Sequence, residues 1–271
     1  MQKKTRNGIS LAFEDSGSSK DALVLIHGWG CDHTTLTRQQ EFFTKTHRVI
    51  NVDLRGHGES DSPAQIYSVE AFADDVAWIC QELDVKRASL IGHSMGGSVA
   101  VEVAFQHPHL GQSIGLIDTV FQPSVELMEL LAPLIPALHS GDYESSYRSI
   151  MSALSLPSDQ DEVSSVLRAL PRAPQHVLLS ALQQHLEAHD FARAAASCSV
   201  PVAYIGAARP LADLAKLKQL IPHLRTGQTL GAGHFAPWLV PEQVNAMLLR
   251  FFERNMHAIP HVPGVMVCPI A

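Results

Sequence analysis

Gly92-His93-Ser94-Met95-Gly96-Gly97 is a G-x-S-x-G segment set between a short apolar run at 87–92 and a longer apolar stretch at 96–107. A serine on a tight strand-to-helix turn has its hydroxyl lifted clear of the sheet, and glycines flank it because side chains there would collide with the turn. The same turn brings the backbone N–H of Met95 to a helix N-terminus, where it can stabilise an oxyanion. The chemistry such a serine performs is nucleophilic attack on an acyl carbon.

A serine hydroxyl attacks poorly until a base takes its proton, so a histidine must reach it. Of the fifteen histidines, His234 stands out. It lies in Gly231-Ala232-Gly233-His234-Phe235, after the last candidate strand and before the last candidate helix, where a strand end delivers it to the rim that carries Ser94. The others have plainer explanations. His107 and His109 flank a helix stop at Pro108, while His139, His176, His185 and His189 fall in a long helical stretch and His257 and His261 in the tail. His33 and His93 are near the expected site, each in a loop that has another task.

The elements that position these residues alternate along the chain. Apolar runs at 22–27, 48–53, 87–92 and 113–120 read as buried strands, and 9–15 as an edge strand. Helical spacing is expected over 35–44, over 68–83 with Ser68 as N-cap, and over 96–107. Short buried strands alternating with helices predict a parallel sheet with helices on both faces, an α/β fold. The alternation stops at 121–195, which reads as helices punctuated by prolines. It resumes with a strand at 200–206, a helix near 211–221, a weak strand around 225–231 and a helix over 241–254. The chain therefore divides into a core of 1–120 and 196–271 and an inserted helical segment of 121–195. The tail, 256–271, is apolar and proline-rich and carries no assignment.

Composition narrows the classes. At 271 residues, 46% hydrophobic and 17% charged, the chain can bury one large core. A net charge of -7 gives no reason to expect nucleic acid, whose binders need a clustered basic surface. Cys31, Cys80, Cys198 and Cys268 show neither metal-ligand spacing nor a disulfide framework, which points to a reducing, cytoplasmic setting. No apolar run approaches bilayer length or the core of a secretory signal. The last four residues formally fit a prenylation box, but no polybasic stretch accompanies them.

The motifs together resemble the α/β-hydrolase superfamily. The likeness runs from His27-Gly28-Trp29-Gly30 through Asp53-Leu54-Arg55-Gly56-His57-Gly58-Glu59-Ser60 and the Ser94 motif to Gly233-His234. The resemblance implies a second oxyanion N–H from Trp29, beside that of Met95, and structural rather than catalytic roles for Arg55 and Ser60. It also implies that 121–195 is a helical cap over the pocket, with no metal or organic cofactor and a small-molecule substrate.

The acid departs from the commoner pattern of that superfamily. Relatives usually carry an aspartate just past the strand equivalent to 200–206, yet residues 206–211 here read Gly-Ala-Ala-Arg-Pro-Leu. Asp213, at the start of the next helix, and Asp118, at the end of the strand 113–120, remain as candidates. Asp118 is favoured for its strand-end placement, which some branches of the superfamily use. The reading is a serine hydrolase with Ser94, His234 and Asp118, cleaving a small or medium apolar ester or lactone. Met128, Leu130, Leu131, Leu134 and Ile135 are expected to line an apolar pocket. Two rivals stand beside it: a cofactor-free dioxygenase using only His234 and Asp118, and a non-enzymatic small-molecule receptor of the same fold.

Overall fold

The computed structural model describes residues 1–122, 125–133 and 135–256. Eight strands form one sheet: β1 (Gln2–Arg6), β2 (Ile9–Ser16), β3 (Ala22–Ile26), β4 (Arg48–Val52), β5 (Ala88–His93), β6 (Gly111–Ile117), β7 (Val202–Gly206) and β8 (Arg225–Gln228). Their spatial order is β1-β2-β4-β3-β5-β6-β7-β8. The β1–β2 and β2–β4 pairings are antiparallel and the remaining five are parallel. Every residue of β3 and of β5 is buried, because helices cover both faces of the central strands.

The strand expected at the edge is not the edge. β2 lies between β1 and β4, and β1 is the outer strand. β1 was illegible by hydrophobic alternation since it reads Gln-Lys-Lys-Thr-Arg, the charged composition that keeps an exposed edge from pairing with other chains. The signal was in the turn. Asn7 and Gly8 both have positive φ, 50° and 81°, as a two-residue hairpin requires, and Asn-Gly is its preferred sequence.

Helix α1 (Thr37–Phe43) follows β3, α2 (Val69–Glu82) follows β4, and α3 (Met95–Gln106) follows β5. The Ser68 hydroxyl accepts from the Ala71 N–H at 3.2 Å, so α2 begins where its N-cap predicts. Phe72, Val76 and Ile79 of α2 and Val99 and Val103 of α3 pack on Val24, Leu90 and Leu116. Burying each such side chain is worth about 1.5–3 kcal/mol. The opposite face is closed by Leu248 and Phe252 of α11 (Pro241–Met256), with Phe43, Ile91 and Ile117.

Between β6 and β7 run α4 (Val125–Leu131), α5 (Tyr143–Ala153), α6 (Gln160–Arg168), α7 (Gln175–Gln183) and α8 (Phe191–Ala196). Among the described residues this stretch holds no strand beyond a single bridge from Phe121 to Ala212. After β7 come α9 (Leu214–Leu220) and, past β8, the short α10 (Ala236–Leu239). No described helix is long and apolar enough to cross a membrane. Residues 257–271, with Cys268 and the box-like end, lie outside the described residues.

Candidate active site

Ser94 occupies the turn between β5 and α3 with φ 55° and ψ -124°, a left-handed conformation that costs a residue with a Cβ of order 1–3 kcal/mol. The backbone on either side makes room for it. A Cβ at Gly92 would run into the Gly96 carbonyl, and one at Gly96 into the carbonyl of Ile26 on the neighbouring strand. The Ser94 N–H donates to the Ile117 carbonyl at 2.9 Å, which fixes the turn to the end of β6.

One residue beyond that carbonyl is Asp118, wholly buried and also in the left-handed region at φ 41°. Its Oδ2 accepts from His234 Nδ1 at 2.8 Å. Its Oδ1 takes the N–H of Ala207 at 3.1 Å, the N–H of Leu211 at 3.3 Å and the Tyr204 hydroxyl at 3.4 Å. The loop after β7, where relatives of the commoner pattern carry their aspartate, here supplies donors. With Nδ1–H given to Asp118, the lone pair of the His234 imidazole sits on Nε2. Asp213 is elsewhere: it caps α9, accepting from the Lys216 N–H at 3.1 Å, with its side chain partly exposed.

The His234 loop is held from two sides. His93 Nε2 donates to the His234 carbonyl at 2.8 Å. From the segment after α5, Asp159 accepts the Gly233 N–H at 2.7 Å and the Leu154 carbonyl accepts the His234 N–H at 3.2 Å. Burial, and then the neighbouring His234, push the His93 imidazole down to about 3, so it stays neutral beside the His234 ring.

Trp29 follows Gly28 in the loop after β3, and Gly28 is so close to Ser94 that a Cβ there would stand 3.1 Å from that of the serine. Among the described residues neither the Trp29 nor the Met95 backbone N–H donates to a protein acceptor. The Trp29 indole N–H donates to the Leu178 carbonyl at 2.9 Å, and the Tyr147 hydroxyl donates to the Trp29 carbonyl at 2.9 Å. Those contacts tie the loop to α7 and α5.

The Asp53 loop is a scaffold beside the site. Asp53 accepts from the His33 N–H at 2.7 Å, His33 Nδ1 at 2.8 Å and the Glu59 N–H at 2.9 Å. Arg55 grips Asp75 with two hydrogen bonds, and the Ser60 hydroxyl donates to the Asp53 carbonyl at 2.7 Å. Arg55 and Ser60 thus face their own loop and its neighbours rather than Ser94.

A cavity of about 60 Å³ opens over Ser94 and His234, walled by Trp29, Met95, Leu127, Met128, Leu131, Ile150, Met151, Leu154, Leu182 and Leu211, with His185 at one side. Of the pocket residues expected from sequence, Met128 and Leu131 are on this wall. Ile135 is not, lying beyond Leu131, the last residue of α4. Leu134 and the side chain of Leu130 lie outside the described residues.

Residues 21–176 match the family described as alpha/beta hydrolase fold. The chain belongs to that family. This α/β-hydrolase is 38% identical over 118 residues to an uncharacterized protein of Mycobacterium tuberculosis, a match covering 44% of this chain and 34% of that protein. The chain thus spans about a third of the length of the curated relatives it matches first. Two solved structures are similar over nearly all of it. A thermophilic esterase from Thermogutta terrifontis is 27% identical with a TM-score of 0.80, covering 95% of this chain and 100% of that one. Est816, an N-acyl homoserine lactone degrading enzyme, is 25% identical with a TM-score of 0.80, covering 92% and 100%.

Sequence reasoning did not find Tyr147, Asp159 or the loop-holding contact of His93. Tyr147 and Asp159 act from α5 and the segment after it on loops more than 70 positions away in sequence, and no local spacing announces such a contact.

Proposed function

We propose that this α/β-hydrolase is a serine hydrolase that cleaves a small or medium apolar carboxylic ester or lactone through an acyl-enzyme. The reading rests above all on the 2.8 Å hydrogen bond from His234 Nδ1 to Asp118, made on the wall of an apolar cavity that also holds Ser94. His234 Nε2 takes the Ser94 proton as Oγ bonds the acyl carbon. The resulting oxyanion accepts from the backbone N–H groups of Trp29 and Met95. As the tetrahedral species collapses, His234 returns the proton to the leaving alkoxide, which in a lactone stays attached to the acyl chain. Water then attacks the acyl-enzyme with His234 again as base, releasing the acid and restoring Ser94.

Residues 121–195 serve as the helical cap on a core of 1–120 and 196–271. An apolar wall favours an uncharged acyl group, and a cavity of about 60 Å³, only a few times the space one water needs, favours a short one. The esterase and the lactone-degrading enzyme among the structural neighbours support the bond class. The test is turnover of p-nitrophenyl esters of increasing acyl length and of a panel of lactones. Hydrolysis fastest on short, uncharged acyl groups is expected. Preference for a charged acyl chain would overturn the apolar reading, and absence of turnover on every member would favour a receptor.

A further inference from the structure

We propose that Glu70, Glu102 and His189 form a binding site for a divalent transition cation of the zinc or manganese kind, outside the cavity that holds Ser94. The three residues come from separate parts of the chain. Glu70 is in the first turn of α2, Glu102 is inside α3, and His189 directly follows a π-helical turn, Gln184–Ala188, that leads out of α7. One ligand atom from each lies within 4.8 Å of the other two. The individual separations from His189 Nδ1 are 3.0 Å to Glu70 and 3.9 Å to Glu102.

Those distances suit a shared ion. Ligand atoms about 2.0–2.2 Å from a tetrahedral centre stand about 3.3–3.6 Å apart, so the triangle must close by little more than an ångström. Glu70 can supply that movement, since its side chain is 40% exposed. The same exposure gives an entry path and leaves room for water as further ligand.

The observation that calls for an ion is at Glu102. Its side chain is 1% exposed, Oε1 accepts from Gln106 Nε2 at 2.7 Å, and Oε2, which faces His189, accepts no hydrogen bond. A buried carboxylate oxygen without a donor is costly. Protonating His189 would satisfy Glu70 and still leave the trio with a net charge of -1 and Glu102 Oε2 at 3.9 Å. A dication with neutral His189 brings the net charge to zero and coordinates that oxygen directly. One imidazole with two carboxylates is a mixed nitrogen and oxygen set, which suits zinc or manganese better than calcium, a cation that takes oxygen ligands only.

Such an ion would join two core helices to the segment between β6 and β7, so binding would stabilise the fold. The test is calorimetric titration of chelator-treated full-length protein with zinc chloride and with manganese chloride, paired with thermal melts. One tight site is expected, with a Tm that rises with added metal. Glu70→Gln, on a partly exposed side chain, should weaken that site by at least about tenfold, as should Glu102→Gln if it folds. No saturable binding, or a site whose affinity and stoichiometry are the same in Glu70→Gln, would overturn the assignment and leave His189 as a hydrogen-bonded clasp on Glu70.

Discussion

His93 donates to the carbonyl of His234 across 2.8 Å, and the two rings lie with their centroids 4.7 Å apart. The residue before Ser94 thus holds the His234 loop, a link between two motifs 141 positions apart. His93→Phe keeps an aromatic ring in place and removes the donor. Displacing the base should lower kcat by roughly 10- to 100-fold with KM little changed. A matching rise in KM with unaltered kcat would refute a positioning role.

Ser94→Ala should remove hydrolytic turnover, by about a million-fold if the triad acts as a unit, while thermal melting stays cooperative. Serine-directed phosphonates should label the native protein and not the variant. Near-normal turnover of an oxidisable substrate by the variant would instead support chemistry that uses only His234 and Asp118.

Asp118→Asn should cost about ten-thousand-fold in turnover, because the amide no longer secures the tautomer with a proton on Nδ1 of His234. Asp213→Asn, at an exposed helix cap, should leave most of the activity. Equal losses in the two variants, measured on the same ester, would sink the assignment of the acid.

The parts of this molecule that were legible in the sequence are those encoded locally. The Ser94 turn, the Ser68 cap and the buried strands each show in a window of a few residues. The strand-end Asp118 was a weighed choice between two aspartates, and the carboxylate now found against His234 is decided by a loop 89 positions on, where Ala207 turns its N–H inward. Contacts such as Tyr147 to Trp29 were hidden for the same reason: an amphipathic helix announces that it buries a face, not which carbonyl that face will meet. The outer strand carries no hydrophobic alternation, and the Asn7-Gly8 turn is the local signal that marks it.

Removing the Tyr147 hydroxyl tests whether α5 steadies the Trp29 loop. Tyr147→Phe leaves the Trp29 carbonyl without its donor and should destabilise the protein by about 1–3 kcal/mol. If the loop also shifts, kcat for esters falls alongside, so urea midpoints and kinetics should be read on the same preparation. A fully stable variant with unchanged kinetics would show that the contact is incidental.

Acid should unfold this protein early. Burial pushes the imidazoles of His57, His93 and His185 down to about 3. In the unfolded chain these groups take up protons near their ordinary value of 6.5, so between that pH and about 3 the unfolded state binds more protons and native stability falls as pH falls. Each contributes about 1.4 kcal/mol per pH unit in that window. His33, raised by its hydrogen bond to Asp53, acts in the opposite sense, but it is one half-buried group against three buried ones. Urea midpoints measured from neutral pH down to about pH 5 should drop steeply, and His185→Gln should flatten the slope by about one proton. A flat profile would contradict the buried, neutral state of these rings.

The chain leaves the sheet after Asp118 and comes back at β7, and the two ends of that excursion meet: the ring of Phe121 rests 4.9 Å from that of Phe191, and Phe121 bridges to Ala212. Donor and acceptor points for a chimera are therefore already side by side. A helical segment from another family member, spliced in at these neighbouring ends, would leave Ser94, Asp118 and His234 in place, since all three reside outside the exchanged piece. What it would have to recreate is the Asp159 hold on the His234 loop and the Tyr147 hold on Trp29, so those two contacts set the compatibility rule for exchanging residues 121–195.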